Sequence, residues 1–278
     1  MIHPNFIIIG AERSGTTWLA QTLKKHPDIY LPEMRKELNF FDLYYQRGLD
    51  WYQRFFPNPE QASQYSCIGE ATPNYLYIPE VPERIYQHNP NCQLIAILRN
   101  PADRAYSKYG LKVRSHGYAG SFSEYLQERP GTISRGFYSQ QIKRYLEYFP
   151  SENFLFLIFE ETMKYPELAL QKIGNFLSVD HHKIEVNANK QKVNSSYQVH
   201  FARPYAVARS MVKWLVKNDL EWIYNTAKNV GLRKELFGKK GTLPPLDPKI
   251  RQELLLQYQE DIEQLEKILG RDLSIWRQ

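Results

Sequence analysis

Three short apolar runs stand out along the chain, at residues 6–9, 94–98 and 154–159. None alternates with polar positions, which is the pattern of parallel strands covered on both faces. Polar residues follow each run, and then apolar positions at helical spacing, over residues 16–25, 103–114 and 165–177. This strand-then-helix order predicts an α/β fold, a three-layer sandwich with a central parallel sheet. A shorter strand is expected at residues 67–69, and a helix over 138–148 leads into the third run. The clearest helix lies near the C-terminus. Asp247 suits an N-cap and Pro248 a first helical position. Ile250, Leu254, Leu255, Tyr258, Ile262, Leu265 and Leu269 then share one face, and Gly270 closes it. No repeat or interdomain linker interrupts the pattern, so residues 1–278 read as one domain, with 200–245 an inserted helical segment or lid.

Composition adds exclusions. With 42% hydrophobic and 24% charged residues, the chain matches a soluble globular protein, not a disordered one. No run approaches the ~18 apolar residues of a membrane span. The first apolar run is too short, and lacks the basic flank, for a secretory signal, so a cytoplasmic enzyme is expected. The net charge of +6 is local: residues 203–240 hold nine Lys/Arg against three Asp/Glu. That is not the diffuse basic coat of a nucleic-acid binder. An amphipathic basic helix there would cover the site, meet an acidic acceptor or touch an anionic membrane. Cys67 and Cys92 are expected as reduced core thiols. Without a CxxC pair, and with His181-His182 the only histidine pair, no zinc site is expected.

Chemistry concentrates after the first strand. Gly10 and Gly15 are separated by four residues, as in a phosphate-cradling loop, and a helix begins at Thr16. Such glycines let backbone N–H groups turn inward, and a helix N-terminus favours an anion. A plain strand-to-helix turn would use the same glycines. Arg13 and the hydroxyls of Ser14, Thr16, Thr17 and Thr22 favour the anion reading. The Lys of nucleotide triphosphatases is absent, its place taken by Thr16. A second basic group, Arg99, stands at the carboxyl end of the second run, where open α/β sheets bind ligands. Ser107 follows two helical turns later. Together they offer a bidentate fork and a hydroxyl.

The segment Gly10-Ala-Glu-Arg13-Ser14-Gly15-Thr16-Thr17-Trp18-Leu19 resembles the 5′-phosphosulfate loop of sulfotransferases, which use 3′-phosphoadenosine 5′-phosphosulfate (PAPS) as donor. His26-Pro-Asp-Ile and Lys36-Glu37-Leu-Asn-Phe-Phe41 resemble the carbohydrate branch that includes heparan sulfate sulfotransferases. Leu98-Arg99-Asn-Pro-Ala-Asp-Arg-Ala-Tyr-Ser107 resembles the 3′-phosphate motif, and Leu269-Gly-Arg-Asp-Leu-Ser-Ile-Trp276 the family's ending. The resemblance implies a fold like that of P-loop nucleoside triphosphate hydrolases. It places the 5′-phosphosulfate on Arg13, Ser14, Gly15, Thr16, Thr17 and Trp18, and the 3′-phosphate on Arg99 and Ser107. It puts Tyr138, in Arg135-Gly-Phe-Tyr138, beside the nucleotide, and Lys240 and Gly241 in a late loop over the 3′-phosphate and adenine.

The same resemblance makes Glu37 the general base. Partial burial in its aromatic stretch would raise a carboxylate's proton affinity, as a base near neutral pH requires. Many relatives carry Lys where this chain has Arg13; an Arg stabilises charge but is no tunable acid. Lys36 is a candidate to share that duty. Because the transferred group carries a single negative charge, no metal is expected. Glu70, in Gly69-Glu-Ala-Thr72-Pro-Asn-Tyr75, is the runner-up carboxylate or a substrate ligand; His116 is the one histidine near the 3′-phosphate motif. The expected activity is transfer of a sulfuryl group from PAPS to a hydroxyl or amine, with a saccharide or small-molecule acceptor and adenosine 3′,5′-bisphosphate (PAP) as product. The competing readings are a P-loop kinase and a catalytically silent nucleotide- or glycan-binding module.

Overall fold

Five parallel strands form the sheet, in the order β2-β3-β1-β4-β5. The computed structural model describes residues 2–184, 211, 215, 218–220 and 243–277. β1 (Phe6–Gly10), β4 (Gln93–Leu98) and β5 (Phe154–Ile158) are the three apolar runs. β3 (Cys67–Ala71) extends two residues past the expected strand and so takes Glu70 into the sheet. β2 (Ile29–Tyr30), only two residues long, is too short to show a period in sequence.

Side chains alternate between two cores, as the pleat requires. Ile7, Ile9, Leu94, Ala96 and Leu98 face one; Phe6, Ile8, Ile95, Ile97 and Leu157 face the other. The second core is closed by α1 (Thr16–Leu23) through Leu19 and Leu23, and by a later helix through Leu170, Ile173 and Leu177. The first is closed by a larger helical layer. It includes α2 (Gly48–Gln53), with α3 (Pro59–Ala62) beside it, and α4 (Val81–His88). α5 (Pro101–His116), α6 (Phe122–Glu128), α7 (Gly131–Ser134) and α8 (Tyr138–Leu146) continue this layer. Each fully buried Leu, Ile or Phe contributes about 1.5–3 kcal/mol relative to exposure.

The helix expected over 165–177 is α10 (Pro166–Leu177), and a short helix not foreseen, α9 (Phe159–Lys164), precedes it. Pro166 disfavours helical geometry at Tyr165, which sits at φ −131°. Phe159, expected to end the strand, instead opens α9. The last long helix, α11 (Pro248–Leu269), matches its sequence signals: Asp247 Oδ1 accepts from the Lys249 N–H at 2.7 Å, and Gly270 ends it at φ 60°. Cys67 and Cys92 are buried and unpaired. No helix among the described residues is long and apolar enough to cross a membrane.

The topology positions the site. β1 pairs with β3 on one side and β4 on the other. The connection after β1 runs to β2 on one side and that after β4 to β5 on the other, so the crevice between their carboxyl ends is a topological switch point, where such sheets bind ligands. The loops after β1 and β4 both open there.

Candidate functional site

The loop after β1 is tied to its neighbour strand: the Ala11 N–H donates to the Ile97 carbonyl at 2.8 Å. Gly15 then turns the chain into α1 at φ 96°, and a Cβ there would lie 3.0 Å from the Phe159 ring. Only glycine fits both demands. No side chain caps α1, and no acidic residue stands in its first turn. Its leading N–H groups therefore face outward as donors, with the helix dipole behind them. Ser14 and Thr16 are buried at this turn, while Thr17 and Trp18 are half-buried.

The structure brings Arg13, Arg99 and Ser107 together. Arg13 donates to Ser107 Oγ from Nε (3.2 Å) and Nη2 (3.1 Å). Arg99 Nη1 donates to the Arg13 carbonyl at 3.3 Å, and its guanidinium lies 4.6 Å over the Phe159 ring. Arg13 holds a left-handed backbone at φ 70°, which costs a non-glycine residue about 1–2 kcal/mol. Ser107, expected beside Arg99, thus meets the other arginine first. Tyr138 is buried; its hydroxyl donates to the Arg99 carbonyl at 2.9 Å and lies against Ser14. Burial pushes that phenol up to about 12.

The electrostatics are those of an anion site. Burial pulls the Arg13 guanidinium below its ordinary range; Arg114, Arg99 and Arg104 add repulsion, while Glu12 opposes them. Burial also lowers Arg99, against the pull of Asp103 and Glu160. Arg99 Nε is buried with no hydrogen-bond acceptor among the described residues. A dianion would relieve the crowding and satisfy the donor.

Sequence reasoning missed the supports behind this cluster. Glu12 pairs with Lys108, and lies 4.0 Å from Arg135 Nε. Arg104 has no exposed surface and donates to the Thr132 carbonyl. Glu12, Arg104, Arg135 and Tyr77 line a small pocket behind the loop. Asn100 caps α5 by accepting from the Ala102 and Asp103 N–H groups, and donates to the Trp276 carbonyl at 2.8 Å. An Asn before Pro-Ala-Asp is the one readable cap signal; the ion pairs join residues distant in sequence and left none.

Glu37 is partly buried, as expected: its side chain is 41% exposed and pairs with Lys36 Nζ at 2.8 Å. Full burial falls on Glu70 instead, whose exposure is 0% and whose carboxylate accepts from Tyr52, Thr72 and Tyr75. Burial raises the Glu70 carboxyl to about 7, against those three hydrogen bonds. Glu70 has no exposed surface at which to touch an acceptor, which departs from its reading as a substrate ligand. His116 is half-buried at the end of α5.

Lys240 and Gly241 lie outside the described residues, as does most of the 200–245 insert. Asp219 is described: it accepts from Arg47 (2.8 Å) and from Trp51 Nε1 (3.0 Å). The His181-His182 pair has a carboxylate neighbour after all. Asp180 joins it on one turn, with ligand atoms all within 4.8 Å.

Comparison with known proteins gives a consistent set of likenesses. The profile of the sulfotransferase domain matches residues 3–267. Human heparan sulfate glucosamine 3-O-sulfotransferase 6 is 31% identical over 185 residues, covering 63% of this chain and 52% of that protein. The chain therefore spans about half the length of that relative. The crystal structure of a sulfotransferase from Alicyclobacillus acidocaldarius superimposes with a TM-score of 0.72 at 26% identity, over 100% of both chains. Mouse sulfotransferase SULT7A1, solved with PAP, shares the fold at a TM-score of 0.53 and 20% identity, covering 99% of this chain and 86% of that one.

Proposed function

The chain belongs to the sulfotransferase family, and on that footing we propose that it transfers a sulfuryl group from PAPS to a hydroxyl or amine of a saccharide, acting as one domain. The observation that carries the reading is the convergence of Arg13, Arg99 and Ser107 at the mouth of the glycine-bounded loop. A donor with phosphates on both the 5′ and 3′ carbons needs two anion sites side by side. The open N–H groups of α1 offer one and the Arg99–Ser107 pair the other. The mouse enzyme of the same fold holds PAP, the product this reading requires. The saccharide acceptor rests on the heparan sulfate relative.

In this reading residues 14–18 hold the 5′-phosphosulfate through backbone and hydroxyl donors. Arg99 and Ser107 hold the 3′-phosphate, with Tyr138 fixing Arg99 through its carbonyl. Lys240 and Gly241 are assigned to the 3′-phosphate and adenine. Glu37, exposed enough to meet an acceptor, takes the proton from the attacking oxygen or nitrogen. The new bond forms to sulfur as the bond from sulfur to the bridging phosphate oxygen breaks. Arg13 and Lys36 stabilise the charge left on that oxygen. Transfer of a singly charged group gives no role here to the Lys of nucleotide triphosphatases, and Thr16 stands in its place.

Calorimetric titration with PAP, without metal and beside magnesium-ATP, tests the donor. PAP binding that Arg99→Ala weakens by about 100-fold is expected, with no ATP binding. Preference for magnesium-ATP would sink the assignment in favour of phosphoryl transfer. Transfer of radiolabelled sulfate from PAPS to heparan-type oligosaccharides, lost in Glu37→Gln, then tests acceptor and base. PAP binding with no transfer to any acceptor would leave a binding module.

A further inference from the structure

Glu70 is shut inside the sheet, yet its hydrogen bonds lead toward Glu37. Its carboxylate accepts from Tyr52 OH at 2.6 Å, from Thr72 Oγ1 at 2.8 Å and from Tyr75 OH at 3.1 Å. Two of those hydroxyls also accept from backbone. The Asn39 N–H donates to Thr72 Oγ1 at 3.3 Å, and the Phe41 N–H to Tyr75 OH at 3.2 Å. Asn39 turns the chain at φ 53°, and its Nδ2 donates to the Glu37 carbonyl at 3.0 Å. Leu38, between Glu37 and Asn39, is fully buried.

A hydroxyl has one proton. Thr72 and Tyr75 can each receive a backbone N–H reliably only if their own protons are committed elsewhere. Glu70 is the acceptor that commits them. Aromatic packing makes the arrangement stiff: the Tyr52 ring stacks on Phe40 at 4.3 Å, and Phe41 meets Tyr75 edge-on at 5.7 Å. A buried carboxylate is costly, and an apolar residue would fill the sheet at least as well if packing were its only task.

We infer that Glu70 is a positioning residue for the transfer reaction: by orienting the hydroxyls of Thr72 and Tyr75 it clamps the backbone at Asn39 and Phe41, and so sets the turn that carries the Glu37 carboxylate. The inference rests on Glu37 being the base. It assigns Glu70 no contact with donor or acceptor. It explains why a carboxylate stands in the interior of β3, two residues before Thr72 and five before Tyr75.

The test uses the full chain with Thr72→Val, Tyr75→Phe and Glu70→Gln, and, should it fold, Glu70→Ala. Three readouts are compared: amide exchange at Asn39 and Phe41, PAP affinity, and transfer from PAPS to a heparan-type oligosaccharide. Thr72→Val is expected to speed exchange at Asn39, and Tyr75→Phe at Phe41, each about tenfold or more. Glu70→Gln, which keeps hydrogen-bonding atoms, loosens both amides less than Glu70→Ala. The kcat falls about tenfold, while PAP affinity and acceptor KM stay within about twofold. In a Glu37→Gln background that further loss of kcat disappears, because the clamp acts through Glu37. Unchanged exchange at both amides, or a loss that persists in full without the Glu37 carboxylate, overturns the proposal. Full activity in Glu37→Gln alone removes the base assignment instead, and exchange at Asn39 and Phe41 still decides whether Glu70 clamps the turn.

Discussion

Arg13 and Ser107 are joined by two hydrogen bonds, from Nε and Nη2 to one hydroxyl at 3.2 and 3.1 Å. The loop after β1 and the second turn of α5 therefore form one site. A phosphate arriving at Ser107 must share that hydroxyl with Arg13 or take it over. The Arg99 carbonyl, meanwhile, is held by Tyr138, independently of Ser107.

The two residues should accordingly differ in their effect on PAP binding. Arg99→Ala removes a charged bidentate donor and is expected to weaken PAP by about 100-fold, from about 1.5–3 kcal/mol per charged hydrogen bond. Ser107→Ala removes one neutral donor and frees Arg13 to meet the phosphate, so a loss of about tenfold or less is expected. Calorimetry on both variants checks the order. Equal losses would show that Ser107 is no secondary partner.

The strands β1, β4 and β5 were legible because they read as unbroken apolar runs, whereas β3 was read two residues short and β2 shows no period. Both anion-site arginines were legible too: Arg99 follows such a run directly, and Arg13 lies in the glycine-bounded loop after another. The contact between Arg13 and Ser107 was not, because it depends on how α5 lies across the loop. Glu37 and Glu70 show the limit most clearly. Both follow plausible motifs, and both are carboxylates. The extension of β3 by two residues, which no period marks, places Glu70 in the interior, while Glu37, outside the sheet, is half-exposed.

Arg13 separates binding from turnover. Its guanidinium is crowded by Arg99, Arg104 and Arg114, so Arg13→Ala relieves repulsion as it removes a donor, and PAP affinity should change by less than about fivefold. The charge on the leaving oxygen then has one fewer partner, and kcat should fall by about 100-fold. Arg13→Lys should recover part of it. Titration beside steady-state kinetics distinguishes the two effects; parallel loss of affinity and kcat would make Arg13 a plain binding residue.

Gly15 is constrained twice. At φ 96° any Cβ is strained by about 1–2 kcal/mol. The added atom would also press the Phe159 ring at 3.0 Å, and that ring supports the Arg99 guanidinium. Gly15→Ala should therefore lower the melting temperature by about 2–8 °C. It should also weaken PAP, although position 15 offers no side chain to bind it. A melting shift with intact PAP affinity would show that Phe159 yields without moving Arg99.

Glu70 makes stability depend on pH in a predictable direction. Burial raises its carboxyl from 4.5 to about 7, helped by Asp42 and opposed by the hydroxyls of Tyr52, Thr72 and Tyr75. Tyr52, Tyr75 and the neighbouring Cys92 are themselves pushed upward by burial and stay protonated near neutral pH. Across this window the folded protein holds a proton that the unfolded chain has released. Its contribution is fully present below about pH 4.5 and is lost as pH rises through about 7, amounting to about 3 kcal/mol. Glu70→Gln cannot ionise and should escape that loss. Urea unfolding at pH 5 and pH 8 should show wild type weakening relative to the variant by that order. Curves that stay parallel between the two pH values would mean that Glu70 ionises in the folded protein as readily as in the unfolded chain, with its three hydroxyl donors offsetting the cost of burial.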